Sequence, residues 1–245
     1  MRIIYLLVTI LMYSLSTKAQ IQSIDISAPG ESNNYGGVKF YDPSMIGQKN
    51  TTILTYADVD GSPFWNEKWA PALLFLKSGS VVKVNYVKLN LFTSDVLYID
   101  NFGVALEAKA GMVQKMIFIN EKDTTKALTV FEAFPDKKVD NGYSYCKVLA
   151  DGKYKLLEIQ KSFLRTVPSS VLSDKKTESS FYTKSSYAIA YEGALFPISA
   201  LNHTNITAIV YPDKDTEQWL KDNKNNLKKE LEVVAFLNYC NVQKK

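Results

Sequence analysis

Histidine is almost missing from this chain: its 245 residues include one, His203. That excludes zinc sites built on paired histidines and the H-E-x-x-H metalloprotease helix, and it leaves a serine nucleophile no histidine base but this one. His203 lies in the polar run Asn202-His203-Thr204-Asn205 and reads as a solvent-exposed side chain. Cysteine is scarce too, at two residues, Cys146 and Cys240. In an oxidising compartment they could pair, but Cys146 sits in a strand-like run and Cys240 at a crowded helix end, and both read as buried thiols acting as small apolar groups. There is no phosphate-cradling glycine loop, no dinucleotide fingerprint, no G-x-S-x-G elbow and no S-x-x-K before a plausible helix, so no cofactor is expected. Charge of one sign is lacking as well. Lysine and arginine number 29 against 25 acidic residues, and Arg2 and Lys18 lie in a segment expected to be cleaved; 29 less those 2 leaves 27, close to neutral. Without a basic stripe, nucleic acid is not an expected partner.

Long apolar runs are confined to the first residues. Met1-Arg2 precedes an apolar core over residues 3–13, and a short polar stretch then ends in Thr17-Lys18-Ala19. This is the pattern of a secretory signal peptide, with small residues where signal peptidase requires them and a mature start at Gln20. The apolar core falls short of the ~20 residues that a membrane helix needs. The expected destination is the periplasm, the envelope or the exterior, with no transmembrane span in the mature chain.

What the sequence has in quantity is strand pattern. Residues 61–106 (GSPFWNEKWAPALLFLKSGSVVKVNYVKLNLFTSDVLYIDNFGVAL) alternate: Val87, Leu89 and Leu91 fall on one face, Lys88 and Asn90 on the other. Lys77-Ser78-Gly79-Ser80 and Asp100-Asn101-Phe102-Gly103 supply the turns, and Ser94-Asp95 divides the middle run. Strands follow at 112–119, 128–134, 143–149 and 154–159, the last two joined by Asp151-Gly152, the strongest hairpin signal in the chain. Residues 187–191 and 194–198 bracket Glu192-Gly193 as a small hairpin, with Pro197 implying an edge. The tail reads as helical, with Asp215 as an N-cap paired to Gln218 and a second helix over about 226–239 burying Leu227, Leu231, Val234 and Leu237. On that reading Leu231→Asp would destabilise the fold strongly. Residues 199–210 fit either a helix or a strand.

The expected fold is mainly β and α+β overall: an antiparallel meander forming a curled sheet or partial barrel, followed by a small C-terminal hairpin and helical unit. The divisions are a signal peptide at 1–19, an N-terminal arm at 20–60, the meander at 61–165, a polar linker or long loop at 166–183, and the hairpin and helices at 184–245.

Gly61-Ser62-Pro63-Phe64-Trp65-Asn66-Glu67, the turn Leu76-Lys77-Ser78-Gly79, the run Asn90-Leu91-Phe92-Thr93-Ser94-Asp95 and the ending Pro212-Asp213-Lys214, Leu227-Lys228-Lys229-Glu230 and Leu237-Asn238-Tyr239 together resemble a family of uncharacterised exported proteins of Gram-negative bacteria. The resemblance spans residues 56–241 and departs from the family pattern at 166–180 and 199–210. It implies fold and location and carries no activity.

Few residues offer chemistry. Asp58-Val59-Asp60-Gly61 has the opening of a calcium loop without the later ligands, and reads as a polar turn. Glu132 and Asp136 could serve as an acid/base pair on a sugar if the fold set them face to face; as strand-end residues they would simply be solvated. Trp65 and Trp69 could stack on a ligand ring, although aromatics in a β protein are mostly core. The sequons at Asn50, Asn202 and Asn205 read as chance. Two function classes stay open: a non-catalytic envelope or secreted protein that binds a protein, glycan or lipid, or a hydrolase with paired carboxylates on the concave face of the sheet. A membrane barrel is disfavoured because the chain ends in a polar helical tail.

Overall fold

A computed structural model describes residues 22–23, 39–41, 53–56, 59–100, 102–108, 111–119, 127–138, 142–168 and 177–243. The segment expected to be a signal peptide, most of the expected N-terminal arm, Asp58, Asn101 and the sequon at Asn50 lie outside these residues. The strands are β1 (Gln22–Ser23), β2 (Lys39–Tyr41), β3 (Ile53–Thr55), β4 (Ala70–Leu76), β5 (Val81–Leu89), β6 (Val96–Ile99), β7 (Ala105–Glu107), β8 (Val113–Ile119), β9 (Ala127–Pro135), β10 (Tyr143–Ala150), β11 (Tyr154–Pro168), β12 (Thr177–Tyr191) and β13 (Ala194–Ile198). Three helices follow: α1 (His203–Val210), α2 (Lys214–Asp222) and α3 (Glu230–Gln243).

Apart from β2 and β3, which pair with each other, the strands form one sheet in the order β13-β12-β11-β10-β9-β8-β4-β5-β6-β7, with β1 added to β5. Along that path every pairing is antiparallel. The expected mainly β, antiparallel architecture with a helical C-terminal unit is what the chain adopts. One connection departs from a simple meander: β8 returns to pair with β4, so the β5-β6-β7 unit projects on the other side of β4. The expected turns are present, with Gly79 at φ 87° closing β4–β5 and the pair Glu192 and Gly193, at φ 48° and 78°, closing β12–β13.

The linker expected at 166–183 is overturned at both of its ends. β11 and β12 form an unbroken ribbon, paired from Tyr154↔Tyr191 to Pro168↔Thr177; only residues 169–176 between them fall outside the described set. The misreading has a physical cause. Ser and Thr looked like loop composition, yet a ribbon exposed at residues 182–186 of β12 needs no apolar alternation, and threonine suits a strand. Hairpin β12–β13 is therefore the continuation of the meander sheet, and Pro197 stands on the edge strand β13 as expected.

The tail also differs from its sequence reading. The ambiguous segment is α1, started by the Asn202 side chain, which accepts from Asn205 N at 2.8 Å, and its Ile206 and Val210 are buried one turn apart. The cap of α2 is Asp213, not Asp215: its carboxylate accepts from Thr216 N at 2.9 Å. Leu227 precedes α3 with a left-handed φ of 57°, which breaks the helical periodicity assumed from it. The buried positions of α3 are Val233, Phe236, Leu237 and Cys240, and Leu231 is 79% exposed, which overturns the expectation that Leu231→Asp strongly destabilises the fold.

Candidate functional site

The sheet has a core face and an outer face, and one row of directly opposed residues shows how the core face is built. Val82, Leu74, Met116, Phe131, Lys147, Glu158, Tyr187 and Ile198 stand side by side from β5 to β13. The β5 end of this row belongs to a core with Val87, Leu89, Phe118 and Trp65. At the β13 end it meets a second core, in which Leu156 and Ile189 pack with the buried residues of the three helices. Between the two lies a polar centre. Glu158, 8% exposed, accepts from Lys147 Nζ at 3.3 Å, Gln160 Nε2 at 3.0 Å and Ser185 Oγ at 2.9 Å, so its charge is neutralised in place. Beside it the Tyr187 hydroxyl donates to Glu230 Oε2 at 3.1 Å, and burial, Glu230 and Glu158 together push its pKa up. Farther along β11, the buried hydroxyl of Ser162 makes no hydrogen bond among the described residues. Ser162→Ala should therefore leave stability unchanged or raise it slightly in a denaturant melt, because no bond is lost and about 1–3 kcal/mol of desolvation is relieved in part.

The outer face carries the acidic candidates. Glu132 stands opposite Lys115 and receives both Lys155 Nζ, at 2.8 Å, and Lys115 Nζ, at 3.6 Å. Asp136 accepts from Lys161 Nζ at 2.7 Å, Ser144 Oγ at 2.7 Å and Lys138 N at 3.0 Å. Each carboxylate is thus committed to its own cations, and the two do not face each other as an acid/base pair. Burial pushes the Asp136 pKa up, but the Lys161 hydrogen bond, followed by those from Lys138 and Ser144, outweighs it and holds the group at about 2. The folded value lies below the unfolded one of about 4. The resulting stabilisation is present above pH ~4 and is lost as pH falls toward 2. Asp136→Asn should melt below the wild type in neutral buffer, and the gap should close on acidification through that window.

Farther along the β11–β12 ribbon the outer face presents a different cluster. Phe163 and Tyr182 are opposed across the ribbon and stacked, with ring centroids 5.6 Å apart and planes at 25°. Lys184 Nζ lies 5.7 Å from the first ring and 5.5 Å from the second. The rings are 39% and 41% exposed. The alternating neighbours Leu164 and Phe181 point to the opposite face, where Val59, Tyr56 and Phe92 cover them. The chain ties the ribbon down there: Asp60 N donates to Ser179 O at 3.0 Å, Phe181 N to Asp60 O at 2.8 Å, and Ser162 N to Leu91 O at 3.1 Å. Gly61 is needed at this tie, since its φ is 79° and a Cβ would stand 3.1 Å from Phe181 O.

The residues singled out in the sequence have other neighbours. Trp65 packs on Phe118 and Phe131 at 4.8 and 5.1 Å, inside the core. Trp69 and Phe64 flank the Lys88 ammonium at 5.4 and 5.0 Å, and burial lowers the pKa of that lysine. The two tryptophans therefore do not form an exposed strip. Asp60 acts through its backbone, and among the described residues no group of three or more His, Cys, Asp and Glu side chains is placed to hold a metal ion. His203 is exposed, with Nε2 3.8 Å from Glu217 Oε2. Cys146 and Cys240 are buried in different clusters and neither is in a disulfide. Burial pushes the Cys146 thiol up to about 12. Both should resist a thiol reagent in the native protein and react in denaturant; rapid native labelling would contradict this packing.

Sequence reasoning missed Phe163 and Tyr182 because one fell past the expected end of its strand and the other inside the expected linker. The available signal was a broken one: Leu157, Ile159 and Phe163 fall at alternate positions, but Lys161 interrupts them and Leu164 lies on the other parity. Among the described residues no helix is long and apolar enough to cross a membrane. No family model, curated protein or solved structure matches the chain.

Proposed function

We propose that the chain is an exported, non-catalytic binding protein of the envelope or exterior, and that it holds a glycan on the Phe163–Tyr182–Lys184 cluster. The observation that carries this reading is the stacked aromatic pair, exposed on one face of a ribbon whose other face is packed under Tyr56, Val59 and Phe92. Holding two rings in water on a braced backbone costs stability and places a preorganised platform. The platform is small, and its immediate neighbours along the two strands on the same face are Lys184, Arg165, Lys161 and Ser180. A sugar ring suits that combination better than an acyl chain, because its C–H face can lie on the aromatics while its hydroxyls meet the polar rim. Residues 1–19 support export. The ion pairs of Glu132 and Asp136 disfavour the hydrolase reading, since Asp136 stays ionised at neutral pH and cannot supply a proton.

The test is calorimetric titration of the mature chain, starting at Gln20, with purified bacterial envelope polysaccharides, followed by analysis of the recovered glycan. Binding should leave the glycan intact, and Phe163→Ala with Tyr182→Ala should weaken it at least about tenfold at an unchanged melting temperature. Unaltered binding by that double variant would remove the site. Reproducible cleavage abolished by changing one acidic residue would replace the whole reading with the enzymatic one.

A further inference from the structure

The end of the strand order away from the ribbon carries a second, independent surface. β7 is the last strand, with one side paired to β6 and the other unpaired among the described residues, and Ala105, Leu106 and Glu107 are all exposed. The two sheet edges are not equivalent. β13 holds Pro197, which cannot donate to an added strand, whereas β7 has neither proline nor lysine to block one.

Hydrogen bonds from Phe102, Gly103 and Val104 converge on Asp100 ahead of β7. Phe102 N and Val104 N both donate to Asp100 Oδ1 at 2.9 Å, Gly103 N donates to Asp100 O at 3.1 Å, and Asp100 N donates to Val104 O at 3.0 Å. This braced turn nonetheless leaves Phe102 91% exposed, with Val104 and Leu106 also in water at alternate positions. Leu106 stands opposite Tyr98, which stands opposite the fully buried Val87, so an apolar row of the core face runs outward and stops at an open edge. A further strand would extend both the hydrogen-bond ladder and that row.

We propose that β7 is a strand-addition edge that takes an extended segment of a partner protein, with apolar side chains at every second position and a lysine or arginine that meets Glu107. The charge requirement follows from the site. Glu107 is the one charged side chain of β7 and makes no ion pair among the described residues, so an incoming cation meets an uncompensated carboxylate; partial desolvation, and after it the neighbouring Asp95, raise its pKa even though the side chain is exposed. A second copy of this chain is the wrong occupant, because β7 has no cation and would bring further carboxylates to the joint. The mode is β-augmentation, in which the backbone supplies the ladder and alternate side chains supply selectivity.

A library of random decapeptides displayed on phage tests this by selection on the immobilised mature chain, with parallel selection on the Val104→Lys, Leu106→Lys variant and on Phe102→Ser. All three positions are exposed, and matched melting temperatures would establish that the variants are folded. Peptides with apolar residues at alternate positions and one basic residue should be enriched on the wild type at least about tenfold over either variant. With the resulting consensus peptide, amides of residues 104–107 should gain hydrogen-exchange protection, and reversing its charge to glutamate should weaken binding at least about tenfold. Equal recovery on the variants, no enrichment, or enriched peptides without alternation would overturn the proposal. Dimerisation of the chain alone, abolished by the same variants, would overturn it in favour of self-pairing. Loss of glycan binding by the Phe163 and Tyr182 variants leaves this outcome untouched, since the two surfaces lie on different strands.

Discussion

Phe236→Ala should destabilise the protein by about 3–5 kcal/mol, while Leu231→Asp, five residues earlier on the same helix, should leave its melting nearly unchanged. Phe236 is fully buried, with Trp219 6.2 Å away and Val233, Leu237 and Cys240 in the same cluster. Truncation removes a large transfer contribution and opens a cavity that the sheet beneath, with Leu156 and Ile189 also fully buried, has little freedom to fill. Leu231 lies on the water side, so a carboxylate there breaks no contact of the core. It also stands in the first turn of α3 beside Glu230 and Glu232, where the helix dipole favours negative charge and the neighbouring carboxylates oppose it. Denaturant melts of both variants decide the matter. A large loss for Leu231→Asp would mean that the exposed side of α3 is covered in solution.

Gly152→Ala should also cost several kcal/mol, and the part of that cost due to Asn241 should disappear when Asn241 is already alanine, leaving the backbone strain. Gly152 has φ 138°, and a Cβ there would stand 2.5 Å from Asn241 Nδ2. The Asn241 side chain is the tie between the end of α3 and the β10–β11 turn. Its Oδ1 accepts from Tyr154 N at 2.8 Å, and its Nδ2 donates to Tyr154 O at 3.0 Å and Asp151 O at 3.1 Å. Alanine at 152 both strains the backbone, by about 1–3 kcal/mol, and displaces this side chain, stranding backbone groups at about 1–3 kcal/mol. Asn241→Ala loses the same bonds but clears the space. The double variant should therefore be less destabilised than the sum of the singles, with a coupling above about 0.5 kcal/mol. Strict additivity in a double-mutant cycle would show that the contact does not govern the turn.

The same residues show how far the sequence could be read. The turns at Gly79, Asp151-Gly152 and Glu192-Gly193 and the alternation at Val87 and Leu89 are local signals that produced the elements expected of them, although Leu91 lies beyond the end of β5 and Lys88 and Asn90, on the other face, are buried as well. Local signals failed where the burying surface was elsewhere. Ser179 and Ser180 look like linker residues until their strand is paired with β11, and Leu231 looks like core until Leu227 is found outside the helix with a positive φ. The candidate site was less legible still. Trp65 and Trp69 were the conspicuous aromatics, yet Trp65 is core and Trp69 faces Lys88, whereas Phe163 and Tyr182 became neighbours only through the ribbon register.

By itself, then, the sequence determined the mainly β antiparallel class and its helical tail, because backbone periodicity and turn stereochemistry act within a few residues. Only the tertiary structure decided which face of each strand is wet, which carboxylates are neutralised by lysines, and which sheet edge is left open. Those properties belong to pairs of residues far apart in the chain, such as Glu132 with Lys155 and Gly152 with Asn241, and they come into being when register brings the two together.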